Sequence, residues 1–512
     1  FFFFFRGLYK NASIFLLKRK GLQTTIYAVV EIHIKPLRRV LKMKKYVALS
    51  LTALSLFSLI GCKKGDTSGT PAPVEKTRVQ KAIEEAETLN WVDLYKKAKD
   101  ELNGKEWFAC GNTSRGQGAM DAFIQCLQGN KYADDHKTFV ESTDANYAAL
   151  KAYNNTNFSV KSNWSNQTGG QIYDYVDNDI KGAKQLNRAL IQNANDLQAK
   201  EIETGNLLNF VPKEYKAAAP GEEYAPLGRE RNAKVFRHNN ADGKKIKNRW
   251  QFTGTDFQFR NFQNETVGRN FLIRLTQDKY ADQVKAAYDA IDDTTLKATA
   301  DAAIKYVKDN KIAKTYGITS TNGEYALAWD YLVGRNNSYA TDDGPIRTDL
   351  AKKSNAGRNG LLVYSKLRKI KETKDSSVNN VDIVSYNTEY KGVGGYSYKH
   401  YCQIFKDAPY PYAACAFSHF ITCNKDGFYA WGKDMGCYPI NTTVGVDHSK
   451  GGEGWKVYNE ATGEVDKVIT AETRNDKGWS YWKDKLVEED PVYSSAHAKL
   501  SVWLGTLKSL KK

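Results

Sequence analysis

Glu106-Trp-Phe-Ala-Cys110 is followed by Gly111-Asn-Thr-Ser-Arg-Gly-Gln-Gly118 and then by Ala119-Met-Asp-Ala-Phe-Ile-Gln-Cys-Leu-Gln128. A short apolar run, a glycine-rich turn and an apolar-periodic segment read as strand, turn and helix. In that geometry a helix N-terminus faces the end of a strand, and its free N–H groups can hold an anion or a polar ligand. Thr113 and Ser114 add hydroxyls there, and Arg115 adds a planar fork suited to carboxylate or phosphate. The same residues also make a plain N-cap and turn. Glycines at 111, 116 and 118 lack the spacing of a dinucleotide fingerprint.

Working outward, the unit repeats. Residues 137–141 read as a strand and 144–154 as a helix. Residues 171–184 read as a helix, 188–192 as a strand and 193–204 as a helix. Repeated βα units predict a parallel α/β sheet with ligands at the C-terminal strand ends, where Gln192 and Asn193 lie. Upstream, Val79, Ile83, Ala86, Leu89 and Leu94 recur near the helical period, which predicts a helix over 78–102. Tyr224-Ala-Pro-Leu-Gly228 breaks the pattern and marks a crossing between lobes. Further strands are expected at 234–238, 360–364 and 381–386. Helices are expected at 267–276, 281–291, 301–308, 324–332, 411–422, 479–487 and 496–507. Gly392-Val-Gly-Gly-Tyr396 suits a hinge or a close backbone approach.

The start of the chain has a different character. Met43-Lys-Lys45 is basic, 46–60 is uncharged and mostly apolar, and Leu59-Ile-Gly-Cys62 closes it. This reads as a secretory signal, too short for a membrane span. Residues 1–42, opening on five Phe, read as upstream sequence translated from a misplaced start. Residues 62–77 are polar, with Gly, Ser, Thr and Pro, and read as a flexible tether. The whole chain carries +17. Eleven Lys/Arg and one Asp/Glu fall in residues 1–61, so the part from Cys62 carries only about +7. That removes the argument for a nucleic-acid partner.

Six cysteines follow Cys62, at 110, 126, 402, 415, 423 and 437. An exported chain permits disulfides, but small buried thiols are the favoured reading, and no spacing suggests zinc. The sequence has no Gly-x-Ser-x-Gly elbow, Walker loop or His-Glu-x-x-His pair. His238, His400 and His419 stand singly and read as structural or exposed. No catalytic residue, metal ligand or cofactor is therefore assigned.

Several segments together resemble the extracellular solute-binding proteins of bacterial ABC importers, in the iron(III)-type or family 1 branch. They are Gly111-Asn-Thr-Ser-Arg115, Ala189-Leu-Ile-Gln-Asn193, Gly205-Asn-Leu-Leu-Asn-Phe-Val-Pro212, Asn270-Phe-Leu-Ile273, Lys406-Asp-Ala-Pro-Tyr-Pro-Tyr-Ala-Ala414 and Gly427-Phe-Tyr-Ala-Trp-Gly-Lys-Asp-Met-Gly-Cys-Tyr-Pro439. The Leu-Ile-Gly-Cys62 ending resembles a lipobox, which implies acylation of Cys62.

The resemblance implies a type II periplasmic-binding fold: two α/β lobes, each a mixed sheet flanked by helices, with a ligand cleft between them. Residues 78–225 would form the first part of lobe 1 and 226–388 lobe 2. Residues 389–512 would make the hinge return and C-terminal helices, mainly in lobe 1. Ligand contacts are implied at Thr113, Ser114, Arg115, Gln192, Asn193, Tyr364 and Ser365, with Gly395 and Tyr396 near the hinge. Iron-binding members commonly use adjacent tyrosines. This chain has Tyr396-Ser-Tyr398 and Tyr410-Pro-Tyr412 instead, so an anionic or polar organic solute, such as a sugar phosphate or phosphonate, fits better than a directly bound ferric ion, with an iron(III) complex as the remaining alternative.

The expected protein is a non-enzymatic lipoprotein receptor, monomeric and anchored outside the cytoplasmic membrane, partnered by a small solute and an ABC permease. A surface adhesin-like lipoprotein and a secreted hydrolase are the alternatives.

Overall fold

The computed structural model describes residues 75–510 except 134–137, 155–156, 168–169, 192–195, 225, 263–264, 368, 372–380, 432–435, 445–454, 459–461, 463–464 and 470–475. Cys62, the signal and most of the tether lie outside these residues. The expected helix over 78–102 is two helices, α1 (Arg78–Ala86) and α2 (Trp91–Leu102). The break has a local cause. Asn90 is extended and its side chain accepts from the Asp93 N–H, so a new helix starts there.

The βα reading of the opening stretch holds. Strand β1 (Lys105–Gly111) runs into the turn, and helix α3 (Gly116–Leu127) follows. Strand β2 (Val160–Asn166) pairs parallel to β1 on one side. Helix α4 (Gln171–Lys181) leads to strand β3 (Leu186–Ile191), parallel to β1 on the other side. Sequence reading missed β2. Its Val-Lys-Ser-Asn-Trp-Ser-Asn is polar because it sits at the sheet edge, half exposed.

Strand β4 (Gly228–Asn239) begins where the Tyr224–Gly228 stretch ends and is buried along all 12 residues. The second lobe then builds strand β5 (Phe257–Arg260), helix α5 (Thr266–Leu275), helix α6 (Gly323–Asn336), strand β6 (Ser338–Ala340), helix α7 (Asp343–Leu350) and strand β7 (Asn359–Val363). Strand β8 (Gly395–Phe405) returns to the first lobe and leads into helix α8 (Pro411–Cys423). Strands β9 (Cys437–Pro439) and β10 (Leu486–Glu488) and helices α9 (Pro491–Ala496) and α10 (Leu500–Thr506) follow.

The main sheet runs β2-β1-β3-β8-β4-β7-β5-β6, with β8 antiparallel to both β3 and β4. β10 lies along the start of β8, and β9 along the start of β4. Two separate apolar cores result. One gathers α1, α2, α3 and α8 around β1 and β3. The other gathers α5, α6 and α10 around β5. β8 passes between them: Tyr396 and Tyr398 belong to the second core, and Tyr401, Cys402, Ile404 and Phe405 to the first. The fold is a two-lobed α/β architecture with crossing strands.

Residues 389–512 divide between the lobes, against the expectation that they fall mainly in lobe 1. Leu500, Trp503, Leu504 and Leu507 pack in the second core. The helix expected over 479–487 is one turn, Trp479–Trp482, followed by β10. The glycine-rich segment before β8 serves close approach. At Gly395 (φ +148°) a Cβ would lie 2.0 Å from the Lys234 carbonyl oxygen, and at Gly392 (φ +116°) one would meet the Arg249 side chain at 2.8 Å. Among the described residues no helix is long and apolar enough to cross a membrane, and all six cysteines after Cys62 are free thiols.

Candidate functional site

Where β4 and β8 run side by side, Glu230 faces His400, Asn232 faces Tyr398 and Lys234 faces Tyr396. Cross-strand partners share a face of the sheet. The shared face of the crossing strands therefore carries a carboxylate, an imidazole, an amide and an ammonium, with the Tyr396 and Tyr398 rings on its second-core side.

The first-lobe end of this face is a buried network. Glu230 pairs with Arg229, both fully buried, and accepts from His400 Nδ1 at 2.7 Å. Burial alone would raise the Glu230 pKa. The Arg229 guanidinium and the His400 hydrogen bond outweigh it and hold the carboxyl at about 2. Burial pushes the His400 pKa down. Cys437 Sγ donates to Asn232 Oδ1 at 2.7 Å. Arg115 reaches the same place from the turn before α3: its Nη1 donates to the Trp431 carbonyl at 2.7 Å and lies 3.8 Å from Cys437 Sγ.

The second-lobe end is a ladder of charges. Lys234 Nζ donates to Glu265 Oε1 at 2.7 Å. Glu265 Oε2 accepts the Gly268 N–H at 2.7 Å and so caps α5. Arg260 Nη1, at the end of β5, lies 3.5 Å from Glu265 and 3.9 Å from both Asp342 and Asp343. Asp342 also pairs with Lys366 at 3.6 Å. Burial raises the Asp343 pKa against the pull of Lys234. Tyr398 joins the two ends: burial, then the carboxylates of Asp343, Glu265 and Glu230, push its phenol far above its ordinary value.

A cavity of about 160 Å³ lies between residues of the two lobes. Asp196 and Ala199 line it from the first lobe, and Arg269 of α5, Ser495, Ala498 and Ser501 from the second. A hollow of about 440 Å³ lies elsewhere, between α1 and the start of α8, beside Glu101, whose carboxyl burial pushes up to about 7.

The residues expected to contact ligand are dispersed. Arg115 joins the interlobe network. Thr113 turns its hydroxyl back to accept the Arg115 N–H at 3.3 Å, and its carbonyl accepts from Trp164 Nε1 at 2.8 Å. Ser114 is exposed. Gly111 and Gly116 make room for the Trp164 ring, which a Cβ at either would strike. Gln192 and Asn193 lie outside the described residues. Tyr364 turns away from the polar face. It is fully buried in a small core with Ala233, Val235, Ile383, Tyr386 and Trp482, under the Arg237 guanidinium at 4.7 Å. Ala233 and Val235 alternate with Asn232 and Lys234 along β4, so this core lies behind the face. Ser365 is half-buried and Gly395 serves the strand approach. Tyr396 packs against Phe271 in the second core, ring centroids 5.4 Å apart.

Sequence reading missed Glu230, Asn232, Lys234, Tyr398, Arg260, Glu265, Asp342 and Asp343, and set His400 aside as a lone histidine. The signal that could have found them is Arg229-Glu-Arg-Asn-Ala-Lys234, a run of charges inside a stretch buried on both faces. Among the described residues no cluster of three or more His, Cys, Asp or Glu could hold a metal.

No family model and no curated protein matches the chain. Solved structures similar to it include iron-bound HitA from Pseudomonas aeruginosa, at 12% identity and TM-score 0.43, covering 78% of this chain and 99% of that one. A ferric binding protein from Campylobacter jejuni has 11% identity and TM-score 0.45, covering 79% and 98%. The periplasmic binding protein AfuA from Actinobacillus pleuropneumoniae, with fructose-6-phosphate bound, has 11% identity and TM-score 0.42, covering 78% and 96%. At these identities and TM-scores the likenesses assign neither ligand nor residue roles. The two-lobed fold rests on the strand order and the two cores.

Proposed function

We propose that this chain is the solute-binding receptor of an ABC importer, capturing a small polar solute between its lobes and delivering it to a membrane permease. One observation carries the reading. Two separate apolar cores are joined by the long crossing strands β4 and β8, and the face of those strands between the cores is polar. A pair of continuous strands can bend as a hinge while each core stays intact, which is the requirement for lobe closure around a ligand. Polar and charged groups between the lobes supply the contacts that close only when a solute completes them. Capture and release need no covalent step, so the reading assigns no catalytic residue.

The reading includes the anchor. Cys62 is acylated, 62–77 is slack, and the monomeric receptor works outside the cytoplasmic membrane within reach of its permease. Cys62→Ser should move the protein from the membrane to the soluble fraction, and unchanged membrane retention would remove the anchor. The receptor itself is tested by scattering and melting together. A true solute should shrink the radius of gyration and stabilise the fold by on the order of 3 kcal/mol at a hundredfold excess over Kd. If no solute does either, the receptor reading falls.

A further inference from the structure

The interlobe region offers both signs of charge, and their arrangement narrows the solute. Resting on the receptor reading above, we infer that the cleft takes a small amino-acid-type zwitterion in the cavity between Asp196 and Arg269, and that Glu265 is a built-in anion that keeps phosphate-type solutes out.

The cavity carries both complementary ends. Its volume of about 160 Å³ is room for about five waters, the size of a small amino acid. Asp196 lines it from one lobe and Arg269 from the other, so a ligand with an ammonium and a carboxylate bridges the lobes as it binds. Ser495 Oγ, on the Arg269 side, is buried without a hydrogen-bond partner among the described residues. A carboxylate held by Arg269 would satisfy it.

Glu265 is the extended N-cap of α5, four residues before Arg269, and its side chain folds back over the first turn of the helix. The N-terminus of α5, the buried Lys234 ammonium and the Arg260 guanidinium would together attract an oxyanion. Glu265 already takes the Gly268 N–H and the Lys234 ammonium at 2.7 Å each, and Arg260 at 3.5 Å. Its carboxylate is only 7% exposed. Asp342 and Asp343 add two more negative charges beside Arg260. A phosphate dianion approaching this wall meets cations that are already neutralised and carboxylates that repel it.

Thermal melting of the full chain tests this with four probes: a panel of zwitterionic amino acids, inorganic phosphate, glucose 6-phosphate and a neutral sugar. At least one amino acid should raise the midpoint by roughly 2–5 °C at a hundredfold excess over Kd, and the phosphates should not. Arg269→Gln and Asp196→Asn should each weaken that amino acid at least about tenfold, as loss of a charged partner implies. Glu265→Gln should let inorganic phosphate stabilise the protein, which wild type does not allow. Stabilisation of wild type by phosphate, or by the neutral sugar alone, overturns the zwitterion and leaves a receptor for another solute. No response to any of these probes overturns the zwitterion, while the receptor reading falls only if the wider solute screen by scattering and melting also finds nothing. A folded Glu265→Gln that ignores phosphate overturns the role of Glu265. Should that variant not fold, the wild-type probe series decides alone.

Discussion

The two ends of the polar face on β4 and β8 are built from the same residue types and behave differently. At the first-lobe end Arg229 and Glu230 are 0% exposed and His400 is 6%. At the second-lobe end Lys234 and Glu265 are buried, but Arg260 is 32% and Asp342 49% exposed. A fully buried charge must find its partner inside the protein, so the first end is locked. Charges at the rim can exchange a protein partner for water or solute at little cost. The first end is therefore fixed by its own partners, and the rim of the second can trade its partners for water. Arg115 belongs to the first kind. It was expected to greet an anion, but the Trp431 carbonyl holds it.

The largest effect should come from breaking the locked end. Glu230→Leu leaves the Arg229 guanidinium buried, with its Nε and Nη1 already lacking hydrogen bonds. Loss of one partner of such a pair costs about 3–5 kcal/mol, read as a lower urea midpoint. A cost under about 1 kcal/mol would mean that the two ends do not differ as described. Lys234→Met at the other end should cost less, about 1–3 kcal/mol. Glu265 keeps the Gly268 N–H and stays near Arg260. If Lys234→Met proved the more damaging, the locked and open ends would have to be exchanged.

Local elements were legible because their signals are local. The strand–turn–helix at 106–128 needs only a period change and a glycine turn, and it stands as β1 and α3. The crossing strands were not legible. Only 234–238 of β4 was expected, and none of β8, because strands buried on both faces lose the alternation that marks a strand. Arg229, Glu230 and Arg231 read as solvated charges in one dimension and are buried through partners far along the chain, such as His400 and Glu488. Tyr364 failed for a related reason: a strand end was legible, but which face its last side chain takes depends on the core formed by Ile383, Tyr386 and Trp482. The Thr113–Arg115 turn was read for its ligand chemistry, while its glycines answer to the Trp164 ring 48 residues beyond Gly116.

A second comparison sharpens the first. Glu489 accepts the Lys399 N–H and the Tyr401 hydroxyl at 2.8 Å each, on the edge of β8 away from Glu230. Burial pushes its carboxyl up to about 7, against those hydrogen bonds and the Lys399 charge. Glu230 and Glu489 therefore act oppositely on stability. The depressed Glu230 contributes stability above the usual carboxylate range, and this is lost as pH falls toward 2. The raised Glu489 favours the folded state while protonated, and that contribution is lost as pH rises from about 4.5 to 7. Glu489→Gln keeps the acceptor and removes the charge. It should raise stability at pH 8 by on the order of 1 kcal/mol and flatten the decline between pH 5 and 7. An unchanged pH profile would assign that decline to other groups.

The smallest effect belongs at the rim. Asp342→Asn removes a carboxylate that is 49% exposed, 3.9 Å from Arg260 and 3.6 Å from Lys366. Exposed pairs at such distances contribute about 0–1 kcal/mol, so the unfolding free energy read from urea titration should change by less than about 0.5 kcal/mol. What little it does contribute should fade as salt rises from 0.05 to 0.5 M, because solvent screens a rim charge and does not reach a buried one. Glu230→Leu should keep its cost over the same range. That contrast in salt dependence separates a buried, internally paired end from a solvent-exchanging rim. A salt-insensitive loss at Asp342 would place the rim charges in the locked class after all.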